Sequence, residues 1–263
     1  MLALDLDGTI LEPGATIAGP VLEALGKLRD RGVMCVTASG RPVDFQLDLL
    51  AGHRIGAETA CFRALIGDER ELFLLGGYPA GGYRPHREWN EWVHRRWLHL
   101  AAESMVWLQR AGEEAARRGS PVSEIASEDV VRRRGLATLT CGSPGEAADL
   151  CRWLSAALAG AGSALACNRN VRQVQVHDRE ADKGTVLATL TGLWALSPGQ
   201  VLALGDTIND APMLDGGREF QAATVANADD EIKAMVRRRG GYVARAAMGS
   251  GVLEALRALG VLR

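Results

Sequence analysis

The chain has few lysines and no long apolar run. Among its 263 residues, only Lys27, Lys183 and Lys233 are lysines, so each deserves separate consideration. No stretch of about eighteen apolar residues is available to span a membrane. The first residues have neither a basic segment nor an apolar signal segment, so we expect no targeting sequence. Hydrophobic residues make up 47% and charged residues 24%, which is typical of a soluble globular protein.

Strong net charge and paired cysteines are also lacking. The formal net charge is -2 and the isoelectric point is near 6.2, so no field attracts nucleic acid or an anionic membrane, and neither is expected as a partner. The five cysteines form no CxxC pair, and their odd count in apolar segments indicates reduced core thiols. We therefore expect a cytoplasmic protein. The sequence leaves the oligomeric state open.

Two acidic residues follow the first apolar run. Residues 2–4 are apolar and Gly8 breaks the run, so Asp5 and Asp7 come where a buried strand opens into a loop. Residues i and i+2 of an extended chain point the same way, and two carboxylates there repel unless a cation or a proton intervenes. Carboxylate oxygens favour magnesium, and one acid can attack while the other handles a proton. A strand followed by an ordinary Asp-Gly turn is the alternative.

The next segments predict a parallel sheet. Residues 20–32 have apolar positions at helical spacing, and residues 33–38 form a second apolar strand followed by Ser39, Gly40 and Arg41. The order strand, helix, strand favours an α/β fold with crossover helices. Ligands collect at the carboxyl ends of such strands, where Asp5 and Ser39 both lie.

We predict two domains from the change in composition after the glycines near residue 77. A core domain comprises residues 1–77 and 179–263, and an inserted domain comprises residues 78–178. The predicted core elements are a helix over 43–51, strands over 58–62, 72–75, 200–204 and 222–225, and helices over 183–193, 229–238 and 251–259. The insert contains strands over 136–141 and 171–177 and a helix over 146–158. Alternation in VRQVQVH predicts an antiparallel sheet with one solvent-exposed face, and the arginines of 130–135 predict a solvated basic turn.

Two later segments also have charged residues at the ends of predicted helices or strands. Lys183 occupies the first turn of a predicted helix, where a cation opposes the helix dipole, so a bound anion nearby would explain it. A solvated lysine is the alternative. The apolar run 200–204 leads into Asp206, Asn209 and Asp210. Taken alone, this segment is also typical of a capped helix start.

Together these four features resemble the haloacid dehalogenase superfamily. The matching motifs, in order, are Asp5-Leu6-Asp7-Gly8-Thr9, Ser39-Gly40-Arg41, Lys183-Gly184 and Gly205-Asp206-Thr207-Ile208-Asn209-Asp210. The resemblance covers about residues 1–75 and 182–262, and the insert matches only in position. It implies a Rossmann-like parallel-sheet core with an inserted α/β cap domain that closes over the site.

The resemblance also implies roles for the motif residues. Asp5 attacks phosphorus and forms an aspartyl-phosphate, and Asp7 protonates the leaving alkoxide and then activates water. The implied phosphate-binding residues are Ser39, Gly40, Arg41, Lys183 and Asn209. The implied magnesium ligands are Asp5, the backbone carbonyl of Asp7, Asp206 and Asp210.

Details within the motifs narrow the range of reactions that the resemblance implies. Haloalkanoate-cleaving members lack the acid at Asp7, and phosphonate-cleaving members need a cap lysine that this insert does not contain. The segment GDTINDAPML resembles the Cof-like and sucrose-phosphate phosphatase groups. These groups commonly carry an Asn-Gly pair after the third strand, where this chain has Cys61-Phe62-Arg63-Ala64.

The expected function is a magnesium-dependent phosphatase of a small phosphorylated metabolite, with a sugar phosphate preferred. A phosphomutase, which passes the phosphoryl group to another hydroxyl, is one alternative. A non-catalytic metabolite-binding protein is the other, and the intact acidic residues count against it. In the insert, Arg169, Arg172 and His177 are candidate contacts for a polyol or a second anion, with solvated surface as the alternative for each.

Overall fold

The computed structural model describes residues 1–76 and 81–262. It divides into two compact units, one formed by Met1–Asn90 with Lys183–Arg263 and the other by Glu91–Asp182. The first predicted boundary, between residues 77 and 78, lies outside the described residues. The assignment of residues 78–178 as a cap domain stays a prediction.

The elements alternate between strands and helices through most of the chain. The strands are β1 (Leu2–Leu4), β2 (Leu11–Glu12), β3 (Thr16–Ile17), β4 (Cys35–Ala38), β5 (Phe62–Gly67), β6 (Glu71–Leu75), β7 (Tyr83–Pro85), β8 (Glu124–Ile125), β9 (Ala137–Thr140), β10 (Leu165–Asn170), β11 (Gln173–Asp178), β12 (Leu202–Leu204), β13 (Gln221–Thr224) and β14 (Tyr242–Val243). The helices are α1 (Gly19–Asp30), α2 (Val43–Gly52), α3 (Arg87–Arg117), α4 (Glu128–Arg134), α5 (Pro144–Gly160), α6 (Lys183–Leu193), α7 (Ala211–Leu214), α8 (Asp230–Arg238) and α9 (Met248–Ala258).

The first unit is built on one eight-stranded sheet, in the order β14-β13-β12-β1-β4-β5-β6-β7. The strands from β14 to β5 pair parallel, and β6 and β7 continue the sheet antiparallel. The central strand β1 is entirely buried, as expected for a parallel strand covered on both faces. The predicted α/β core with a mainly parallel sheet is confirmed.

The third predicted strand was placed too early. Residues 57–59 form a short 3-10 turn, and Ala60 follows with a φ of 52°. A left-handed residue interrupts an extended run, so the strand begins only at Phe62. Residues 64–66 are fully buried in this strand, and their burial fixes its position.

The second unit carries a four-stranded antiparallel sheet in the order β10-β11-β9-β8. Its apolar core includes Trp97 and Trp107 of α3, together with residues of α5 and of the sheet. The predicted antiparallel pairing is confirmed, but the expected exposed face is wrong for Gln175 and His177, which are buried. These polar side chains hydrogen-bond locally: Gln175 donates to the Gln173 side chain, and a ring nitrogen of His177 contacts the Asp178 carbonyl.

One predicted turn of the insert is a helix. The arginine-rich segment forms α4, whose Gly135 cap has a φ of 65°. The Arg132 guanidinium pairs with Glu128 one turn earlier at 2.7 Å, a spacing that supports a helix. Strand β10 had no predicted counterpart.

Within residues 1–76 and 81–262, no helix combines the length and apolar character needed to cross a membrane.

Candidate active site

Three buried strands end side by side beneath the candidate site. Leu4 pairs with Leu204 of β12 on one side and with Thr37 of β4 on the other. Because these strands are parallel and in register, the residues that follow them share one edge of the sheet. Asp5 follows β1, Ser39 follows β4, and the loop with Asp206 follows β12. The expected meeting of the motifs at the carboxyl edge is therefore present.

A buried lysine joins two of the acidic residues. The Lys183 side chain is fully buried, and its Nζ lies 2.8 Å from Asp5 Oδ1 and 2.6 Å from Asp210 Oδ1. Helix α6 begins at this residue, so the helix dipole opposes the ammonium while the two carboxylates stabilise it. Two carboxylates of the protein itself therefore pair with Lys183, and the bound anion expected near this lysine stays a prediction.

The carboxylates near Lys183 repel one another, and burial together with this repulsion raises the pKa values of Asp5 and Asp206. Burial lowers the pKa of Lys183, but attraction from Asp210 and Asp5 outweighs burial and raises the pKa above its ordinary value. Burial and repulsion from Asp210 raise the pKa of Asp5, against the pull of Lys183. Burial, with repulsion from Asp210, also raises the pKa of Asp206 to about 7. The cluster therefore favours protons or a cation over three free carboxylates.

The fourth-motif loop folds around the Asp210 side chain. Its Oδ2 accepts the backbone N–H groups of Asp206 at 2.9 Å and Thr207 at 3.1 Å, while its Oδ1 faces Lys183. A Cβ on Gly205 would lie 2.4 Å from the Asp210 carboxyl carbon, so only glycine lets the loop close this tightly. The loop fixes the Asp210 carboxylate from two sides.

The first-motif loop packs against the Asp206 carboxylate. Gly8 has a φ of 77°, and a Cβ there would lie 2.2 Å from Asp206 Oδ2. The Thr9 hydroxyl donates to Asp206 Oδ1 at 3.1 Å, and the Asn227 amide donates to the Gly8 carbonyl at 2.8 Å. These contacts hold Asp206 in position. Sequence reasoning assigned no role to Thr9 or Asn227.

Asp7 lies in different surroundings from Asp5. The strand ends at Leu4, and the following turn gives Asp7 a half-exposed side chain that pairs with Arg41. The Arg41 guanidinium donates from Nε and Nη2 to the two carboxylate oxygens, both at 2.9 Å, and lies over the Phe45 ring at 4.6 Å. These hydrogen bonds raise the pKa of Arg41. The two acids of the first motif thus have separate cationic partners, unlike the expected shared orientation.

The second-motif loop begins with a fully buried serine. Ser39 Oγ accepts the backbone N–H of Arg41 at 3.0 Å, and a hydroxyl in this role still carries a hydrogen to donate. Gly40 follows at the same turn and is exposed. Ser39 and Gly40 lie at the predicted edge, whereas the Arg41 side chain contacts Asp7.

The Asn209 side chain bonds to a residue that sequence reasoning missed. Its Nδ2 donates to Glu69 Oε1 at 2.9 Å, and its Oδ1 accepts the Thr207 hydroxyl. Glu69 lies between β5 and β6, far in sequence from all four motifs. No spacing or pattern signals such a residue, because its position depends on how the hairpin packs.

The site's donor set fits a divalent cation. Oxygen atoms of Asp5, Asp206 and Asp210 all lie within 4.8 Å of one another, and the three residues are buried. Three carboxylates against one ammonium leave an excess of two negative charges, which a hard dication with oxygen ligands would balance. The Asp7 carboxylate is not part of this group among the described residues. Its predicted contribution through the backbone carbonyl stays a prediction.

The candidate substrate contacts of the insert all lie in the second unit. Arg172 is exposed and its Nη1 lies 3.4 Å from the Gly142 carbonyl oxygen. Arg169 is half-buried on β10, and His177 is buried on β11. Their roles toward a ligand stay predictions.

Two family models match separate parts of the chain. A model described as haloacid dehalogenase-like hydrolase matches residues 2–62. A model described as Sucrose-6F-phosphate phosphohydrolase matches residues 145–260. The chain is also 26% identical over 238 residues to an HMP-PP phosphatase from Citrobacter koseri, covering 82% of this chain and 80% of the relative.

Solved structures of similar fold extend over nearly the whole chain. The sucrose-phosphatase from Synechocystis sp. PCC6803, solved with sucrose and phosphate, has a TM-score of 0.69 at 19% identity and covers 98% of this chain and 96% of that one. A phosphatase of the haloalkanoate superfamily from Bacteroides thetaiotaomicron has a TM-score of 0.61 at 20% identity, covering 99% and 95%. With the motifs at one sheet edge, the matches to a haloacid dehalogenase-like hydrolase model and to phosphatase sequences support a phosphoric monoester hydrolase.

Proposed function

We propose that the chain is a magnesium-dependent phosphatase that hydrolyses a small phosphorylated metabolite, preferably a sugar phosphate, through an aspartyl-phosphate on Asp5. The observation that carries the proposal is the buried group of Lys183, Asp5, Asp206 and Asp210 at the carboxyl edge of the sheet. The likeness to sucrose-phosphate phosphohydrolases supports a sugar phosphate as the substrate class.

In the first half-reaction, an Asp5 carboxylate oxygen attacks phosphorus and the bond to the leaving alkoxide breaks. Asp7 donates a proton to that alkoxide. In the second half-reaction, Asp7 takes a proton from water as the water attacks phosphorus. This attack releases inorganic phosphate and restores the Asp5 carboxylate, so one difficult step is divided into two easier ones.

The other motif residues bind the phosphoryl group. The Ser39 hydroxyl and the Gly40 backbone N–H donate to its oxygens, and Asn209 donates through its amide. The Lys183 ammonium stabilises charge on Asp5 and on the phosphoryl oxygens. Asp5, Asp206, Asp210 and the Asp7 carbonyl would hold magnesium, which when bound would offset negative charge on the phosphoryl group.

Phosphate release from a panel of sugar phosphates tests the proposal. We expect release that requires magnesium, stops on chelation and is abolished in Asp5→Asn. Asp230→Asn is the matched control, because it makes the same change at a 99% exposed side chain and leaves activity intact. Isomerised sugar phosphate without free phosphate would indicate a mutase. No turnover of any panel member would contradict both enzyme activities.

A further inference from the structure

The hairpin of β5 and β6 carries a strained turn next to the site. Gly67 and Glu71 pair across it, and the Arg70 N–H donates to the Gly67 carbonyl at 3.0 Å. At its tip, Asp68 has a φ of 47° and Glu69 a φ of 64°. Residues with a Cβ seldom adopt this left-handed conformation, and turns of this kind favour Asn-Gly. Asp68 and Glu69 therefore adopt a strained conformation at a turn where Asn-Gly would be less strained.

Backbone hydrogen bonds join this tip to the second-motif loop. The Asp68 N–H donates to the Arg41 carbonyl at 3.1 Å, and the Glu69 N–H donates to the Ser39 carbonyl at 2.9 Å. A Cβ on Gly40 would lie 3.3 Å from Glu69 Oε1, so the Glu69 side chain passes close beside this loop. Strained residues persist where the surroundings hold them, often at functional sites.

The Glu69 side chain continues to the fourth motif. Glu69 is 8% exposed, and its Oε1 accepts from Asn209 Nδ2 at 2.9 Å. The opposite end of the Asn209 amide accepts the Thr207 hydroxyl. An ionised carboxylate can only accept hydrogen bonds, so the nitrogen end of the amide must face Glu69. The carboxylate and the hydroxyl together determine which end of Asn209 can donate.

We propose that Glu69 is a positioning residue of the phosphate site, which fixes the Asn209 amide so that its second N–H is available to a phosphoryl oxygen. This inference rests on the proposed function, in which Asn209 binds phosphate. Glu69 acts through Asn209 and does not touch the substrate. By charge alone, a carboxylate near a phosphate dianion would weaken binding. The direction of the effect on phosphate affinity therefore separates positioning from simple repulsion.

The test measures binding of inorganic phosphate, with magnesium present, by titration calorimetry of the full chain. We expect Glu69→Ala to weaken phosphate binding about tenfold, the loss of one oriented hydrogen bond. Glu69→Gln is expected to weaken it about threefold, because a glutamine amide can pair with either end of Asn209. In the hydrolysis assay, KM should rise more than kcat falls. Unchanged or tighter phosphate binding in both variants would overturn the inference.

Two glycine variants separate the carboxylate from the turn. Glu69→Gly removes the carboxylate and relieves the left-handed strain, so the protein stays folded, yet the same tenfold loss is expected. Asp68→Gly relieves strain at the neighbouring position and keeps Glu69, so phosphate binding should match the native chain. Equal losses in both variants would assign the effect to turn geometry and overturn the inference.

A double-mutant cycle with Asn209→Ala tests whether Glu69 acts through Asn209. On the Asn209→Ala background, Glu69→Ala should weaken phosphate binding no further. An undiminished further loss would overturn the inference. Failure of the native chain to hydrolyse any ester would instead contradict the proposed function. If the native chain hydrolyses an ester and the Glu69 variants bind phosphate as tightly as the native chain, the positioning role of Glu69 is contradicted but the proposed function is not.

Discussion

Two acidic residues of one motif have opposite surroundings. Asp5 is 4% exposed and bonds to a fully buried lysine, whereas the Asp7 side chain is 49% exposed and bonds to a half-exposed arginine. Solvent screens the exposed pair, which contributes at most about 1 kcal/mol, while the buried one is poorly screened. A nucleophile has to be held still, but an acid and base has to exchange protons with substrate and water. This difference supports the roles that we propose, with Asp5 as the nucleophile and Asp7 as the acid and base.

The buried group of Lys183, Asp5, Asp206 and Asp210 is not explained by stability alone. Apolar residues of similar volume often replace a buried ion pair without loss of stability, because removing two charges from water is costly. Here one ammonium pairs with two carboxylates and a third carboxylate lies close to them, which is less favourable than a neutral pair. We infer that the arrangement is retained for its chemistry. We therefore expect a substitution of Lys183 to lower both activity and stability, and a substitution of Arg41 to change activity without changing stability.

Asp7→Asn should have the largest effect among the changes outside the nucleophile. We expect kcat for a sugar phosphate to fall about a thousandfold, since the proton donor and base are lost. The loss should be smaller for p-nitrophenyl phosphate, whose leaving group needs no proton. Steady-state rates on the two substrates measure this difference. An equal loss on both would contradict the acid role of Asp7.

Lys183→Met should reduce both activity and stability. We expect kcat to fall about a hundredfold, and the free energy of unfolding to fall by about 3 kcal/mol because buried carboxylates lose their partner. Urea unfolding and initial rates measure the two effects. Lys27→Met, at an exposed lysine of α1, is the matched control and should change neither. An active and fully stable Lys183→Met would contradict the role given to the buried region.

Magnesium affinity should depend on pH through Asp206. The pKa of Asp206 is raised to about 7 without a cation, so a proton competes with magnesium below that pH. Affinity should fall about tenfold per pH unit below 7 and level off above it. In the metal-free chain, ionising Asp206 is less favourable in the folded state than in the unfolded state. The free energy of unfolding should therefore fall as the pH rises from about 4 to about 7. Magnesium titrations across this range check the first effect, and constant affinity would contradict it.

Arg41→Gln should have the smallest effect. Its pair with Asp7 is half-exposed, so we expect unchanged stability and about a threefold change in kcat. Thermal unfolding and steady-state kinetics measure these values. A loss as large as that of Lys183→Met would remove the distinction between the two regions and would point to direct phosphate binding by Arg41.

The sequence predicts much of the core because local patterns and a parallel topology constrain it. Apolar runs that end in Asp5, Ser39 and Asp206 specify neighbouring strand ends, and parallel pairing then brings those ends to one edge. The helix beginning at Lys183 was predicted with the bounds that the structure has. Errors occur where a short turn shifts an element, as before Phe62.

The remaining contacts of the site depend on packing that no local pattern encodes. The Asp-Glu turn at residues 68–69 resembles any polar hairpin tip in sequence, and only the fold brings Glu69 to Asn209. Similarly, the i and i+2 rule failed for Asp5 and Asp7 because the strand ends before them. Side-chain direction beyond a strand end follows from the loop and its partners, here Lys183 and Arg41.

The most direct test of the account is to trap the phosphoryl group on Asp5. A sugar phosphate that the chain hydrolyses is mixed with it and magnesium, quenched in acid within one turnover and examined by peptide mass spectrometry. We predict one added phosphoryl group on the peptide containing Asp5, removable by hydroxylamine and absent from Asp5→Asn. Rapid phosphate release without any phosphorylated peptide, with Asp5→Asn still active, would contradict the nucleophilic role of Asp5.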